Sequence, residues 1–110
     1  MAKFIKGDVV VVPFPFSNLA YAKRRPAFVL AVLPGDDIIL CQITSRDTKD
    51  EFALRLRIQD FESGSLPLES NIRPNRLFTA DSHIVLYKIG HLNRNKIIEI
   101  ISKVIKIISA

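Results

Sequence analysis

The chain has 110 residues, 48% of them hydrophobic, and 16 Lys and Arg residues against 11 Asp and Glu residues give a formal charge of +5. This length predicts one domain over residues 1–110, and the hydrophobic fraction excludes a disordered chain. The lone Cys41 excludes an internal disulfide and favours a reducing compartment, the cytoplasm. No apolar run approaches the roughly 18 residues of a membrane-spanning helix, so no membrane partner is expected.

The basic residues are concentrated at the two ends of the chain. Residues 1–35 and 71–110 carry an excess of Lys and Arg, whereas residues 36–70 are net acidic. One basic surface therefore forms only if folding brings the two ends together, and the acidic segment 47–62 should lie away from it. A basic excess suits a polyanionic partner without identifying one.

Most of the chain has strand-like composition. The segments that are β-branched, apolar or alternating are residues 8–14, 27–33, 38–44, 51–58, 70–78 and 84–89. The turn sequence 34–37 predicts a hairpin between the second and third of these. The polar segments 17–25 and 59–68 are expected to be loops.

The last segment has a helical period. Its apolar residues are Ile97, Ile98, Ile100, Ile101, Val104, Ile105, Ile107 and Ile108. They predict an amphipathic helix, with Asn93 as its N-cap, that docks on the sheet or on a second subunit. The apolar arc is wider than one small sheet needs, which favours a homodimer. The fold class is mainly β (α+β), a small curled barrel with a C-terminal amphipathic helix.

Several kinds of chemistry are excluded by spacing. Cys41, His83 and His91 lie far apart in sequence without a metal-ligand motif, so neither a metal nor another cofactor is expected. Cys41 lies within an apolar strand and is interpreted as a core residue. His91 is expected to be a solvated residue at a strand end.

A polar set without a metal remains. Its members are Lys23, Arg24 and Arg25 before a strand, Thr44 and Ser45 at a strand end, and Arg73, Asn75 and Arg76 around Pro74. Guanidinium groups bind phosphate in a bidentate manner and hydroxyls donate to the same oxygens. Phe16 and Tyr21, in the preceding loop, could stack on unpaired bases. Spacing alone leaves two alternatives open, a nucleic-acid site and an ordinary exposed surface.

The order of motifs resembles the MazF/PemK-like toxins of type II toxin–antitoxin systems. The segments that carry the resemblance are GDVV at 7–10, PFPFS at 13–17, KRRPAFVL at 23–30, CQITS at 41–45, Leu66-Pro67 and Ser70, IRPNRLFTAD at 72–81 and KIGHL at 88–92. The resemblance implies an SH3-like barrel of the MazF/CcdB/Kid type, a homodimer, and a metal-independent, sequence-specific endoribonuclease acting on single-stranded RNA. It also implies a small cognate antitoxin whose tail lies over the RNA groove.

Carried over residue by residue, the resemblance implies catalytic roles for Arg25, Thr44 and Arg73. It also implies RNA contacts in the loop 17–24, which includes Ser17, with Ser45 beside the catalytic hydroxyl. In this mechanism the ribose 2′-OH attacks the adjacent phosphorus. The base is not assigned, because Asn75 stands where relatives often have Asp and an amide takes no proton at neutral pH; Glu69 is one candidate.

Two other functions fit the same fold. A protein-binding toxin of the gyrase-inhibitor type would leave RNA intact, and an SH3-like interaction module would catalyse nothing. In either case Arg25 could be a surface ion-pair partner and Thr44 an ordinary strand-end residue.

Overall fold

The computed structural model describes residues 4–14, 23–46 and 49–110. In these ranges seven strands form one antiparallel sheet in the order β4-β6-β3-β2-β1-β7-β5, followed by one helix. The elements are β1 Asp8–Phe14, β2 Lys23–Val32, β3 Asp37–Thr44, β4 Leu54–Leu56, β5 Phe61–Gly64, β6 Ser70–Asp81, β7 Tyr87–Leu92 and α1 Arg94–Ile108. Short 3₁₀ turns, Ile58–Asp60 and Ser82–Ile84, precede β5 and β7. The expected mainly β class with a C-terminal helix is confirmed.

The sheet carries an apolar layer on each face. Along β1, Val9 belongs to one buried cluster and Val10 and Val12 to the other, because successive strand side chains point to opposite faces. The cluster around Val9 is closed by Ile100 and Val104 of α1. Strands β1, β2 and β3 therefore read as continuous apolar runs, and the polar residues of this region lie at their ends.

Strand β2 begins earlier than the sequence predicts. Lys23, Arg24 and Arg25 lie opposite Phe14, Pro13 and Val12 of β1, so the loop prediction is wrong for residues 23–25. The rest of that predicted loop, residues 17–22, lies outside the described ranges. The consequence is that the basic triplet is held on a strand rather than on a loop.

The predictions for residues 51–68 are largely wrong. Only Leu54–Leu56 of the predicted strand 51–58 is a strand, and Ile58 lies 71% exposed in a 3₁₀ turn. The predicted loop contains β5, which pairs with β7 at Gly64 and Gly90. Gly64 has φ +72°, and a Cβ there would collide with the Ile89 carbonyl. Glycine is therefore required here because β5 and β7 approach each other closely where they pair.

Strand β6 is interrupted where the sequence places Pro74. Gln42 pairs with Arg73 and Cys41 with Leu77, so residues 74–76 bulge out of the ladder. Proline lacks the N–H that a regular ladder requires, which accounts for the bulge at this position. The bulge displays Asn75 and Arg76 as exposed residues at the sheet surface.

The helix begins as predicted. The Asn93 side chain accepts a hydrogen bond from the Lys96 amide at 2.8 Å, which caps the first turn. Ile100 and Val104 are buried against the sheet, whereas Ile98, Ile105 and Ile108 are exposed. The apolar arc is thus only partly covered by its own sheet. No described helix is long and apolar enough to cross a membrane.

The prediction of a solvated His91 is wrong. Its Nδ1 lies 2.8 Å from Oδ1 of Asp8, which is buried, and Lys88 Nζ lies 3.2 Å from the same oxygen. A buried carboxylate needs such partners, because an unpaired one is costly to desolvate. The three side chains therefore tie the start of β1 to β7.

Candidate functional site

A groove of about 480 Å³ opens at the end of the sheet where β2 begins and β3 ends. Its polar lining residues are Lys23, Arg24, Arg25, Thr44, Ser45, Arg46 and Ser70. Its apolar lining residues include Val11, Ile43, Leu66, Leu68, Tyr87 and Ile89. Residues that are far apart in sequence thus meet at one site.

Arg25 is positioned by two strand pairings. It lies opposite Val12 on β1, and the β2–β3 register, in which Ala27 faces Gln42, brings Arg25 opposite Thr44 two residues further along. Nε of Arg25 is buried and has no hydrogen-bond partner among the described residues. A buried guanidinium N–H without an acceptor is free to bind an anionic ligand, and it costs stability while it stays unpaired.

Thr44 is held at the last position of β3. It is buried and pairs with Asn71 on β6. Its Oγ1 accepts a hydrogen bond from the Arg46 amide at 3.2 Å, and Asn71 Nδ2 donates to the Arg46 carbonyl at 3.2 Å. These two bonds fix the chain reversal after β3 and leave the Thr44 hydroxyl proton available for donation.

The charged residues that line the groove in the described part of the chain are all positive. Four of its described lining residues, Lys23, Arg24, Arg25 and Arg46, are cations, and none of the described lining residues is Asp or Glu. The acidic residues of the 49–62 range that the structure describes lie elsewhere, as expected. A concave site lined by one sign of charge concentrates ligands of the opposite sign.

Arg73 occupies a neighbouring position outside the described lining. Its Nε donates to Oδ2 of Asp50 at 3.2 Å. Partial burial acts to raise the pKa of Asp50, but hydrogen bonds from the Phe52 amide, Arg73 and Asn75 and the charge of Arg73 outweigh it, so the pKa lies below its usual value. Asp50 is therefore an ionised partner of Arg73 at neutral pH.

Only some of the other residues that the sequence predicts to contact RNA line the groove. Lys23, Arg24 and Ser45 line the groove, whereas Asn75 and Arg76 are exposed on the β6 bulge outside its lining. Phe16, Ser17 and Tyr21 lie outside the described residues. Glu69, the candidate base, is ion-paired with Arg55 at 2.6 Å and lines a smaller neighbouring groove.

Three parts of the chain that contribute to the site receive no role there from the sequence alone. Asn71, Tyr87 and the apolar segment 66–68 either line the groove or brace it. The one available sequence signal was that Tyr87 ends an otherwise aliphatic run. Their convergence depends on pairing between β1 and β7 and between β3 and β6, which sequence spacing does not encode.

Two other reactive groups lie away from the groove. Cys41 is buried in the core cluster that contains Val9, which confirms its interpretation as a core residue. Burial raises the pKa of its thiol to about 12, which argues against an activated thiolate. Asp36, Asp81 and His83 bring their ligating atoms within 4.8 Å of one another on the surface. Hydrogen bonds from the His83 amide and side chain lower the pKa of Asp81, and this cluster lies beside the start of β3, at the opposite end from Thr44.

A family model described as PemK-like, MazF-like toxin of type II toxin–antitoxin systems matches residues 5–108. No curated protein sequence matches the chain significantly.

Several solved structures share the fold over nearly the whole chain. A MazE–MazF complex from Deinococcus radiodurans is 19% identical, with 98% of each chain covered and a TM-score of 0.76. MazF alone from the same organism is 18% identical, with both chains fully covered and a TM-score of 0.74. An endoribonuclease in complex with its cognate antitoxin, from a mycobacterial species, is 11% identical, with 99% of this chain and 96% of that chain covered and a TM-score of 0.72.

Proposed function

Because the chain belongs to the PemK-like, MazF-like toxin family of type II toxin–antitoxin systems, we propose that it is an endoribonuclease that cleaves single-stranded RNA. The observation that carries the proposal is the convergence of Arg25 and Thr44, 19 positions apart in sequence, in one groove lined by cations. A phosphodiester is the anionic substrate that guanidinium and hydroxyl groups bind together. Relatives named as endoribonucleases share the fold.

The proposed reaction is an internal transfer of the phosphodiester bond. The ribose 2′-oxygen forms a bond to the adjacent phosphorus and the bond from phosphorus to the 5′-oxygen breaks. The 2′-OH proton passes to solvent water, and the leaving 5′-oxygen takes a proton from solvent water. The products carry a 2′,3′-cyclic phosphate and a 5′-OH. No metal enters this step.

Arg25 and Thr44 have distinct parts in this reaction. Arg25 binds the nonbridging oxygens, where negative charge increases in the transition state, and the Thr44 hydroxyl donates to the same phosphoryl group. A preorganised donor of this kind contributes roughly 3–4 kcal/mol to transition-state stabilisation. Since no described lining residue is a carboxylate or an imidazole, the proposed catalysis depends mainly on charge stabilisation. Arg73 lies beside the groove, and its charge is balanced there by Asp50, so its proposed part in the reaction is secondary to that of Arg25.

The direct test is cleavage of a pool of single-stranded RNA in excess EDTA. We expect fragments that end in cyclic phosphate, with cuts concentrated at one sequence motif. Intact RNA in both EDTA and added Mg²⁺ would contradict the proposal. Intact RNA together with inhibition of a supercoiling assay would instead support the gyrase-inhibitor alternative.

The proposed partners follow from the family and from the surface. A small antitoxin protein neutralises the toxin, as the complexes formed by similar structures support. The exposed residues of α1, Ile98, Ile105 and Ile108, support a homodimer, because they would otherwise leave apolar surface in water. The proposed site of action is the cytoplasm, where messenger RNA and antitoxin are both present.

A further inference from the structure

The groove has a second wall whose chemistry the proposed reaction does not use. The cations lie on β2 and at the end of β3, whereas Tyr87 and Ile89 lie on β7, on the other side of β1. Leu66 and Leu68 extend this wall, and Leu68 is 64% exposed. One side of the groove therefore presents cations, and the other side presents apolar surface.

Tyr87 is the largest side chain on the apolar wall. It lies opposite Val11 of β1, which also lines the groove. Its side chain is 49% exposed and makes no hydrogen bond, ion pair or ring contact with another described residue. A half-exposed ring that lines a groove presents its face to a ligand in that groove, so Tyr87 is a candidate ligand contact.

A nucleotide has a phosphate that suits the cationic wall and a base that suits the apolar wall. Strands β2 and β7 are two strand spacings apart, about 10 Å, a span that a nucleotide bridges when it extends from its phosphate to its base. Aromatic rings stack on any base, because every base has a π-face. We infer that Tyr87 forms a base-stacking subsite of the groove, and that it positions the base of a nucleotide whose phosphate is bound by the β2 cations. This inference rests on the proposed function, since it names a further part of the same RNA site.

Tyrosine fluorescence tests the inference without requiring cleavage. The chain has two Tyr residues and no Trp, so the Tyr21→Phe variant reports on Tyr87 alone. The probe is a random-sequence, single-stranded oligomer with 2′-deoxyribose throughout, which lacks the attacking hydroxyl and stays intact. Saturable quenching of Tyr87 is expected, whereas an abasic oligomer of the same length should bind to the cations without quenching.

Affinity measurements on variants provide a second readout. Tyr87→Ala should weaken binding of the base-bearing oligomer roughly tenfold and leave the abasic oligomer unaffected, as the loss of one stacking contact predicts. Tyr87→Phe should restore binding, because it keeps the ring and removes only the hydroxyl. Leu86→Ala is the matched control, since Leu86 is an exposed neighbour outside the groove lining.

The outcomes separate this inference from the proposed function. Quenching by the oligomer without cleavage of RNA would leave the base subsite standing and contradict the nuclease. Cleavage of RNA by a protein whose Tyr87 is not quenched, or is quenched equally by the abasic oligomer, would overturn the base subsite alone. An oligomer that does not bind, shown by unchanged fluorescence anisotropy, would overturn the base subsite, whereas the RNA cleavage assay alone decides the nuclease. If Tyr87→Ala does not fold, the fluorescence titration of the Tyr21→Phe variant still tests the base subsite.

Discussion

Asp50 accepts a hydrogen bond from Nε of Arg73 at 3.2 Å, and this ion pair joins the segment after β3 to the middle of β6. The side chain of Asp50 is only 8% exposed and that of Arg73 20%. The Asn75 side chain also donates to Asp50. A carboxylate from a different part of the chain thus lies beside Asn75.

The Asp50→Asn substitution tests how much this ion pair stabilises the fold. Neutralising one partner of a largely buried pair should lower the free energy of unfolding by roughly 1–3 kcal/mol at neutral pH. Because folding lowers the pKa of Asp50, its ionisation stabilises the protein above the unfolded pKa, about 3.9, and this stabilisation is lost as the pH falls through the folded pKa. Urea unfolding of both proteins at neutral pH and at about pH 3 measures the difference.

The control for that experiment is the double variant with Arg73→Gln. Asp50→Asn should cost little when Arg73 has already been neutralised, because the pairwise interaction is then absent. A loss of unfolding free energy that is the same at both pH values and with or without Arg73 would contradict a stabilising role for this ion pair, because asparagine keeps the acceptor for the Phe52 amide.

The Asn75→Asp substitution should couple two carboxylates. Asn75 donates to Asp50 in the native protein, whereas an aspartate there would repel it, raise the pKa of one member of the pair and destabilise the fold by about 1 kcal/mol. NMR titration of the carboxyl carbons and thermal unfolding measure these effects. An unchanged unfolding temperature with two ordinary titrations would show that the two side chains do not interact.

Arg25→Ala should separate activity from stability. We expect a loss of RNA cleavage of at least about 100-fold, because the principal phosphate donor is removed. Stability should be unchanged or raised, because Nε of Arg25 is buried without a described partner and its removal ends that desolvation cost. Single-turnover cleavage and differential scanning calorimetry give the two quantities. Arg94→Ala on the exposed first turn of α1 is the matched control and should retain full activity.

Thr44→Ser and Thr44→Val distinguish the hydroxyl from the shape of the side chain. Serine keeps the acceptor for the Arg46 amide and the donor for phosphate, so cleavage should stay within about tenfold of the native rate. Valine keeps the shape but loses both, and the rate should fall by roughly 100-fold. A valine variant as active as the serine variant would exclude the hydroxyl from the reaction.

The sequence predicts the elements that are locally determined. β1, β3 and the Asn93 cap follow from β-branched runs and a side-chain acceptor, and the structure confirms them within about a residue. β5 was missed because Gly64 and its neighbours have loop composition, while their strand conformation depends on pairing with β7.

The residues of the candidate site were also only partly predictable from the sequence. Strand-end position predicted a polar set that includes Arg25 and Thr44, and the family resemblance supplied their roles. The place of Tyr87 depends on the pairing of β7 with β1, which the sequence does not show. The pairing of Arg73 with Asp50 could not be predicted from the sequence either. The two residues are 23 positions apart, and only tertiary packing brings them into contact.

The exposed side of α1 predicts which substitutions affect assembly and which affect folding. Ile105→Asp should convert the proposed homodimer to a folded monomer, because Ile105 is exposed and Val104 beside it supplies the contact with the core. Ile100→Asp should instead unfold the chain, since it would bury an unpaired carboxylate. Light scattering after gel filtration reports the mass, and far-ultraviolet circular dichroism reports the fold. Lys106→Asp, at an exposed helix position away from the line through Ile98 and Ile105, is the control and should affect neither the mass nor the fold. A dimer that persists with Ile105→Asp and with Ile98→Asp would place the subunit contact on another surface.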